Sequence, residues 1–552
     1  MKWVSFLLAW SALQGANIAA EIKINQVGYL PEGTKFAMIV SAKTDEKGHP
    51  SGFFLVRRVG NDSVAFRSSL GASAFDADTG DQVQPADFSK LKENGTFYLD
   101  VPGVGKSWNF RIAPDVFLRT YYLAARSYYG QRCGTAVDLG PEFAGYRHGV
   151  CHTEGAYDPS SEKQGQHASA QGWHDAGDYG RYVVNSGIST ATLLWAWELF
   201  GKPVQAVSLQ LPESGNGVPD LLNEARWNID WMLSMQDADG GVWHKQTSSH
   251  FCGFIMPEAD KLTSLVIGAG QSPFKTSCAT ADFAAVTAIA ARAFLPFDPD
   301  YARRCLAASR KAWIWLQGNP NVVFRNPPGI STGDYGDAHC DDEQLWAAAE
   351  LLRTTGEAEY DSYFTRHYRQ YLPTVRANNP PSWAMMAPFA LWSYVLGNGK
   401  DSEARQDIRR AIVGCRRRDG GPYTHAAVSH HHDGQGLYLG IERRCRQLLH
   451  AVADCKQISG GRALCERGCR KSALSIGSEH LRFILGDAGR FPFRATHSSS
   501  PKFGGRPRRA LARPAGGRTQ SRAAGSRDEK AAASGHTARQ GLCGFGRRVC
   551  LQ

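Results

Sequence analysis

Two carboxylates stand three residues apart in the segment GWHDAGDYGRYVVN, at Asp175 and Asp178. Only an alanine and a glycine separate them, so the backbone can come close to a ligand there. The apolar spacing of residues 179–200 predicts a long helix directly after the pair. Adjacent carboxylates on a loop can activate a water molecule or protonate a leaving group. The same spacing also occurs in helix caps and calcium loops, so the pair alone does not decide between these functions.

A second set of residues combines soft and borderline metal ligands. It consists of Cys133, Cys151, His152 and His174, the last of which directly precedes Asp175. Two thiolates and two imidazoles suit a closed tetrahedral zinc site. The spacing is irregular, however, and on residue types alone a disulfide between the two cysteines is an equal alternative.

An oxygen-rich stretch further along the chain offers a site for a hard cation. Its candidate ligands are Thr332, Asp334, Asp337, Asp341 and Asp342. Calcium prefers several carboxylate and carbonyl oxygens, which this stretch supplies. The alternative is a solvated loop followed by the acidic first turn of a helix, where carboxylates are favoured by the helix dipole.

Aromatic residues collect in the long connections between the predicted helices. They are Trp173, Trp243, Tyr335 and Trp383. Flat rings can stack on the apolar C–H faces of sugars, so these residues are candidates for a polymer-binding groove. The alternative is burial in the core, which we expect for the tryptophans on predicted helix faces: Trp195, Trp197, Trp227, Trp231 and Trp346.

The elements that must position these residues fall into two classes. In residues 21–114, short β-rich segments separated by Gly, Pro and Asn predict a small antiparallel β-sandwich. In residues 115–413, apolar segments with helical spacing recur at roughly 30 to 50 residues. Their connections are long and rich in Gly, Pro, Trp and Asp. We therefore expect a ring of helices whose loops form a cleft.

The composition changes near Val413. Residues 1–413 contain 37 Lys and Arg against 43 Asp and Glu and all 14 Trp, whereas residues 414–552 contain 26 against 9 and 7 of the 13 Cys. The net charge of +11 therefore comes from the C-terminal segment. Its arginines have no interleaved aromatic residues and no known nucleic-acid-binding motif, so we expect no nucleic-acid partner.

The first twenty residues have the pattern of a secretory signal peptide. One lysine is followed by an apolar run and by small residues up to Ala20, and polar sequence begins at once. A buried N-terminal strand is the alternative. The signal predicts a secreted or periplasmic protein. No other stretch is long and apolar enough for a membrane span. We expect a monomer.

Several motifs, taken in order, resemble glycoside hydrolase family 9. They include NQVGYLP, YYGQRCG, GWHDAGDYGRYVVN, GNGVPDLLNEARWNIDWMLSMQ, DGGVWHK, FCGFIMPE, TADFAAV and STGDYGD with DDEQLWAAAEL. The resemblance covers about residues 21–413. It implies an immunoglobulin-like domain at 21–114 and an (α/α)6 barrel at 115–413 that hydrolyses β-1,4-glucans with inversion.

The resemblance also implies roles for individual residues. Asp178 is expected to be the general base, and Asp175 to help hold the attacking water. His244 is expected to contact glucose. Trp243, Tyr335 and Trp383 are candidate substrate-binding residues because they are loop aromatics, not because of the resemblance. The cysteine and histidine set is expected to bind a structural zinc that couples through His174 to the carboxylate loop.

The sequence departs from this family at its C-terminal end. The family's acid is a glutamate in a segment resembling SYATNEIAINWNAPLV, and residues 414–552 contain no such segment. We therefore assign the acid to no residue. We hypothesise that residues 414–552 are an out-of-frame, disordered translation, because 436–450 and 474–490 can be encoded by codons that, read one base later, give DYIWGSNGVVANYS and LLGRNTFGLSWVTQ.

These expectations describe a secreted β-1,4-glucanase with zinc, and calcium as a further ligand. Without its last segment the barrel would be incomplete and the chain weakly active or inactive. The alternative function is a catalytically inactive relative that binds carbohydrate.

Overall fold

The computed structural model describes residues 21–42, 52–77, 79–375, 381–397 and 399–418. The predicted signal peptide at 1–20 and nearly all of the predicted out-of-frame segment lie outside these residues. Within them, a domain of β-strands is followed by a helical domain, as predicted. No helix of the described part is long and apolar enough to cross a membrane.

The N-terminal domain consists of two antiparallel sheets. Its strands are β1 (Glu21–Lys23), β2 (Phe36–Ala42), β3 (Phe53–Arg58), β4 (Val64–Ser69), β5 (Ala74–Phe75), β6 (Asp81–Asp87), β7 (Gly95–Val101), β8 (Gly105–Lys106) and β9 (Phe110–Ile112). One sheet has the order β1-β2-β6-β5, and the other has β4-β3-β7-β8 with β9 also paired to β7. Alternate residues of β7, namely Phe97, Leu99 and Val101, are fully buried in the core between the sheets.

The helical domain alternates helices of two kinds along the chain. They are α1 (Leu118–Gly130), α2 (Val183–Gln205), α3 (Asp220–Ser234), α4 (Ser277–Phe294), α5 (Pro299–Gly318), α6 (Asp341–Thr355), α7 (Ala358–His367), α8 (Ala387–Leu396) and α9 (Ser402–Arg418). Helices α4, α6 and α8 are buried around most of their circumference, and α4 packs against α2, α5 and α6. Helices α1, α5 and α7 bury fewer of their residues and lie on the outside. This arrangement of inner and outer helices is that of an α/α barrel.

The predicted boundary at residue 413 does not coincide with the end of an element. Helix α9 continues through Arg418, five residues beyond it. The sequence places the boundary by composition, and composition does not mark where a helix ends. The predicted incompleteness of the barrel concerns residues outside the described part.

A small sheet in the helical domain was not predicted from the sequence. Its strands are β12 (Glu154–Tyr157), β13 (Gln166–Ala168), β14 (Arg181–Tyr182), β15 (Lys245–Thr247) and β16 (Ser264–Ile267), in the order β13-β12-β16-β15-β14, and a separate pair joins β10 (Val137–Asp138) to β11 (Arg147–His148). These strands are too short to show an alternating pattern. The sheet matters for the site because α2 begins directly after β14, and β14 is held in register by β15.

Candidate active site and metal site

The Asp175–Asp178 pair lies on the loop that leads into β14 and α2, as predicted. The amide of Asp175 donates to the carbonyl of Gly180 at 2.9 Å, which closes the loop on itself. Buried Arg181 donates to the carbonyls of Ser169 and Gln171 at 2.7 and 2.6 Å. The loop is thus fixed on both sides by backbone contacts, so its carboxylates have defined positions.

Three side chains hold the two carboxylates. The Tyr182 hydroxyl donates to Oδ2 of Asp178 at 2.8 Å. Asp175 accepts from Nδ2 of Asn185 and from the Tyr335 hydroxyl, each at 2.8 Å. Within the described residues, Oδ1 of Asp178 has no hydrogen-bond donor. One oxygen of Asp178 is therefore available to accept a proton.

Burial and neighbouring groups shift the pKa values of Asp175 and of its partner Tyr335. Desolvation by the surrounding protein raises the pKa of Asp175, and hydrogen bonds from Asn185 and Tyr335 oppose the rise. Asp175 remains partly exposed to solvent, which limits the size of this shift. Desolvation, together with the charge of Asp175, raises the pKa of Tyr335 to about 12, so this hydroxyl stays a donor at neutral pH.

A line of aromatic rings starts at the carboxylates. The Tyr182 and Tyr335 rings lie 4.7 Å apart, and the Tyr335 and Trp383 rings lie 5.4 Å apart, both edge to face. Tyr335 and Trp383 are half-buried, so each keeps surface for a ligand. The structure therefore brings two of the predicted substrate-binding residues together beside the acidic pair, and their role remains a prediction.

The other predicted contacts are enclosed in the protein. Trp243 is 2% exposed and donates through its indole nitrogen to the carbonyl of Ser161. His244 is 1% exposed, stacks on Phe324 and has hydrogen-bond partners at both ring nitrogens. Neither ring offers a face to a sugar here, because the long connection that carries both folds into the core. Their role as substrate contacts remains a prediction.

Loop tryptophans also serve the core. Trp173 is buried, and its indole donates to Glu224 at 2.8 Å. Glu224 in turn pairs with Arg132 at 3.1 Å. This buried chain of contacts anchors the start of the carboxylate loop to α3. Trp173 therefore fits the alternative interpretation, in which a loop tryptophan is buried in the core. The tryptophans predicted to lie on helix faces do pack in the core.

Close packing explains one glycine of the loop. A Cβ on Gly180 would stand 2.8 Å from Oδ2 of Asp178, 2.8 Å from Thr247 and 2.9 Å from the Tyr182 hydroxyl. A Cβ on Gly177 would meet nothing within 4 Å. Gly180 is therefore required by the protein itself, whereas a side chain at Gly177 would enter open space.

The four predicted zinc ligands come together in the structure. Cys133, Cys151, His152 and His174 place their ligand atoms within 4.8 Å of one another. Both cysteines are free thiols, so the alternative disulfide is not formed. Nδ1 of His152 is buried and finds no hydrogen-bond partner in the described part of the chain, and Sγ of Cys151 lies 3.7 Å from Nε2 of His174. These donors fit a tetrahedral zinc ion.

Two of these side chains have pKa shifts that suit a metal. A hydrogen bond from Cys151 lowers the pKa of Cys133 to about 7, against the effect of burial. Burial lowers the pKa of His174, which favours the neutral ring. Thiolate and neutral imidazole are the forms that bind zinc. A hydrogen bond with Cys133 instead raises the pKa of Cys151. Against the effect of burial, hydrogen bonds with Cys151 and Asp260 raise the pKa of His152.

The metal site and the carboxylate pair share a boundary. Nε2 of His152 lies 3.1 Å from Oδ2 of Asp260, an arrangement that leaves Nδ1 as the metal-binding nitrogen. A cavity of about 10 Å³ is lined by both His152 and Asp178. His152, Tyr179 and Tyr335 all have left-handed backbone, with φ of 43°, 55° and 44°. Such strain persists only where the surroundings hold it, and it clusters at functional sites.

The predicted calcium ligands do not form a comparable cluster. In the described part of the chain, the carboxylates of Asp334, Asp337, Asp341 and Asp342 do not gather at metal-ligand spacing, unlike the cysteine and histidine set. Thr332 is bound instead by the ammonium group of Lys245 at 3.1 Å. The sequence does not reveal that a lysine on β15 supplies the cation for this loop.

Asp342 has a structural role of its own. Its Oδ2 accepts from the amides of Met386 and Ala387 at 2.6 and 3.1 Å, and so caps the start of α8. Behind it, Asp282 and Glu343 are completely buried, and among the described residues their carboxylate oxygens have no hydrogen-bond partner. Burial raises the pKa of Asp282 well above its usual range, with a further contribution from Asp342. This acidic cluster was not predicted.

Sequence reasoning missed several other contributors. Tyr182 and Asn185 lie inside the motif already singled out, four and ten residues after the carboxylates they bind, so their spacing offered a usable signal. Asp260 gave no signal, because its partner His152 is 108 residues away. A disulfide joins Cys278 to Cys340 and thereby links α4 to the residue before α6. Pairings of this kind cannot be read from cysteine positions alone.

Comparisons with known proteins agree with this architecture. The profile of Glycosyl hydrolase family 9 matches residues 119–435, and that of the Cellulase N-terminal ig-like domain matches residues 17–106. Endoglucanase D of Acetivibrio thermocellus is 39% identical over 401 residues, which are 71% of this chain and 61% of that protein. A xyloglucan-specific endo-β-1,4-glucanase of Bacteroides ovatus is 34% identical over 65% of this chain and 63% of that protein. The chain thus covers less than two thirds of either relative.

Solved structures show the same fold. A metagenome-derived family 9 endoglucanase has a TM-score of 0.65 at 35% identity, over 72% of both chains. A Zn-binding triple mutant of the family 9 endoglucanase J30 has a TM-score of 0.62 at 34% identity, over 70% of both chains. The chain therefore belongs to glycoside hydrolase family 9 and carries the N-terminal immunoglobulin-like domain of its cellulases.

Proposed function

We propose that this chain acts on the β-1,4-glucosidic bonds of cellulose or a related glucan, by hydrolysis with inversion. The observation that carries the proposal is the Asp175–Asp178 pair, held by Tyr182, Asn185 and Tyr335 at the start of a line of aromatic rings. The relatives named endoglucanase and xyloglucan-specific glucanase support the substrate class.

In this mechanism Asp178 is the general base. The hydrogen bond from Tyr182 orients its carboxylate, and the uncommitted Oδ1 takes a proton from the attacking water. Asp175, oriented by Asn185 and Tyr335, accepts the second hydrogen bond of that water. The water is thereby directed at the anomeric carbon from one side, as inversion requires.

Zinc has a structural role in the proposal. Cys133, Cys151, His152 and His174 would hold the ion, and the Zn-binding family relative supports this assignment. When bound, the ion cross-links three separate segments of the chain and adds no catalytic chemistry, since all its ligand positions are filled by protein. It stabilises the loop on which His174 and the two carboxylates lie.

The general acid is not assigned to any residue. If residues 414–552 are an out-of-frame translation, a leaving group that needs a proton departs more slowly by a factor of about 10²–10⁴. A mass spectrum of tryptic peptides from this segment, with the DNA sequence around codon 414, tests the hypothesis. A tail peptide in the stated frame would refute it.

Export through the N-terminal signal is proposed together with the function, because glucan polymers lie outside the cell.

The function is tested with two substrates that differ in their need for an acid. The dinitrophenolate of 2,4-dinitrophenyl β-cellobioside leaves without protonation, whereas the leaving sugar of cellohexaose must be protonated. We expect the full-length chain to cleave the aryl substrate and to cleave cellohexaose weakly or not at all. Asp178→Asn should abolish the aryl reaction, and Asp115→Asn, at an exposed ion pair, should not.

The stereochemistry of the first product provides a second readout. ¹H NMR during the aryl reaction should show α-cellobiose before mutarotation, because the water attacks opposite the leaving group. β-Cellobiose as the first product would refute inversion. Aryl hydrolysis that persists in Asp178→Asn would refute the role of the base.

A second candidate function is carbohydrate binding without turnover. It is favoured by the absence of a glutamate in surroundings that match the family's acid segment. Binding of cellohexaose that is unaffected by Asp178→Asn, with no cleavage of either substrate, would establish it.

A further inference from the structure

Four large apolar side chains face solvent within one six-residue segment, the Phe251–Met256 loop. Phe251, Phe254, Ile255 and Met256 are all exposed, and Phe254 is completely so. No other stretch of six described residues contains more than two exposed large apolar residues. Single exposed residues of this kind are normal, but a contiguous group marks a surface that binds something.

The Phe251–Met256 loop lies against the residues on both sides of the proposed base. The thiol of Cys252 donates to the carbonyl of Gly177 at 3.6 Å, and the hydroxyl of Tyr179 donates to the carbonyl of Ile255. Gly177 and Tyr179 are the immediate neighbours of Asp178. The exposed apolar surface therefore begins where the base-bearing loop ends.

The loop is fixed at both ends. Before it, the amide of Ser331 donates to the carbonyl of Ser249 at 2.8 Å. After it, the carboxylate of Asp260 binds the ring of His152 at 3.1 Å. The apolar side chains are therefore held outward by a supported backbone, and a ligand that binds them pays little for ordering the loop.

We propose that the Phe251–Met256 loop is a platform for glucosyl units that extend beyond the bond at Asp178, with Phe251 and Phe254 stacking on their apolar faces. This inference rests on the proposed function. The occupant is argued from position and chemistry: the loop contacts both chain neighbours of Asp178, and aromatic rings match the C–H faces of β-linked glucose. A ligand that fills only the site at Asp178 would not reach it.

Chain length is therefore the expected signature. We compare cellohexaose with cellobiose by calorimetric titration, using the full-length chain with Asp178→Asn so that no substrate is consumed. Added Phe254→Ala should weaken cellohexaose binding roughly five- to tenfold, because a stacked ring no longer buries apolar surface. Cellobiose binding should be unchanged. Phe254→Trp, which retains a stacking ring, should restore cellohexaose affinity.

A matched control keeps the test specific. Phe75→Ala removes an exposed phenylalanine from β5 of the N-terminal domain and should not change either affinity. Thermal melting shows whether each variant folds. If Phe254→Ala has a folding defect, the cellohexaose affinity of Phe254→Trp decides whether a stacking ring is needed. Unchanged cellohexaose affinity in Phe254→Ala overturns the platform.

Two further outcomes are decisive. If Phe254→Ala converts an oligomer into a monomer, the loop binds a second copy of the chain and the platform is overturned. The proposed function is judged separately by aryl cellobioside hydrolysis, which needs no contact with the loop. If the parent chain hydrolyses the aryl substrate but Phe254→Ala leaves cellohexaose affinity unchanged, the platform alone is refuted. If the parent chain binds no glucan and cleaves no aryl substrate, both proposals are refuted.

Discussion

The hydroxyl of Tyr182 donates a hydrogen bond of 2.8 Å to Oδ2 of Asp178, across the turn that joins the carboxylate loop to α2. Tyr182 is completely buried and belongs to β14, whereas Asp178 reaches the surface. A fixed core residue thereby sets the direction of a partly exposed carboxylate. Within the described residues, the other oxygen, Oδ1, accepts no hydrogen bond.

Removal of this hydroxyl should reduce catalysis more than binding. Tyr182→Phe leaves the ring and its contact with Tyr335 but releases Asp178. A single hydrogen bond to a charged group is worth about 1.5–3 kcal/mol, so we expect the rate of aryl cellobioside cleavage to fall roughly 10- to 100-fold. The measurement is kcat and KM for the two chains. An unchanged kcat would show that Tyr182 does not orient the base.

The two glycines of the loop should respond differently to the same change. Gly180→Ala places a methyl group 2.8 Å from Oδ2 of Asp178 and should displace the carboxylate. Gly177→Ala points into open space and should leave stability unchanged. We expect Gly180→Ala to lower the free energy of unfolding by about 1–3 kcal/mol, as overpacking does, and to abolish activity. Urea denaturation of both variants tests this, and equal effects would contradict it.

Buried Asp282 predicts a stability that falls as the pH rises. Its pKa is raised in the folded protein, so its favourable contribution is complete below the unfolded carboxyl pKa, about 4, and is lost as the pH rises through the folded value. Asp282→Asn removes the buried charge. We expect the free energy of unfolding of the variant to exceed that of the wild type by on the order of 1–3 kcal/mol near pH 8. Near pH 4 the difference should be much smaller.

Urea denaturation at the two pH values, with and without calcium, measures this difference. If calcium stabilises the wild type and abolishes the advantage of Asp282→Asn, a cation compensates the acidic cluster of Asp282, Asp342 and Glu343. If the wild type is the more stable chain at pH 8 without calcium, the burial argument is wrong.

The sequence predicted the parts of the fold that depend on local pattern. Helices α1 to α8 are long enough to show their apolar spacing, and the β-rich segments before residue 114 alternate visibly. The zinc set was found by residue type, and the structure confirms that its four members meet. Resemblance, rather than spacing, favoured the metal over a disulfide.

The remaining features depend on contacts between distant segments. The ammonium group of Lys245, on β15, binds Thr332 in the stretch predicted for calcium, and Trp243 is enclosed in the core. Asp260 reaches His152 across 108 residues, and Tyr335 reaches Asp175 across 160. A periodicity within one segment contains no information about such partners. They follow from the barrel's topology, which brings successive long connections to one end.

Asp260 is expected to control zinc affinity although it is not a ligand. Its carboxylate accepts from Nε2 of His152 at 3.1 Å and so orients the ring with Nδ1 toward the metal. Loss of such a partner typically weakens metal binding about 10- to 100-fold. We expect this loss in Asp260→Ala, a smaller loss in Asp260→Asn, which keeps an acceptor, and no loss in Asp115→Asn. Zinc competition with a chromophoric chelator measures all three, and Cys133→Ser should bind no zinc tightly. Equal affinity in Asp260→Ala and the wild type would show that packing alone, without this hydrogen bond, orients His152.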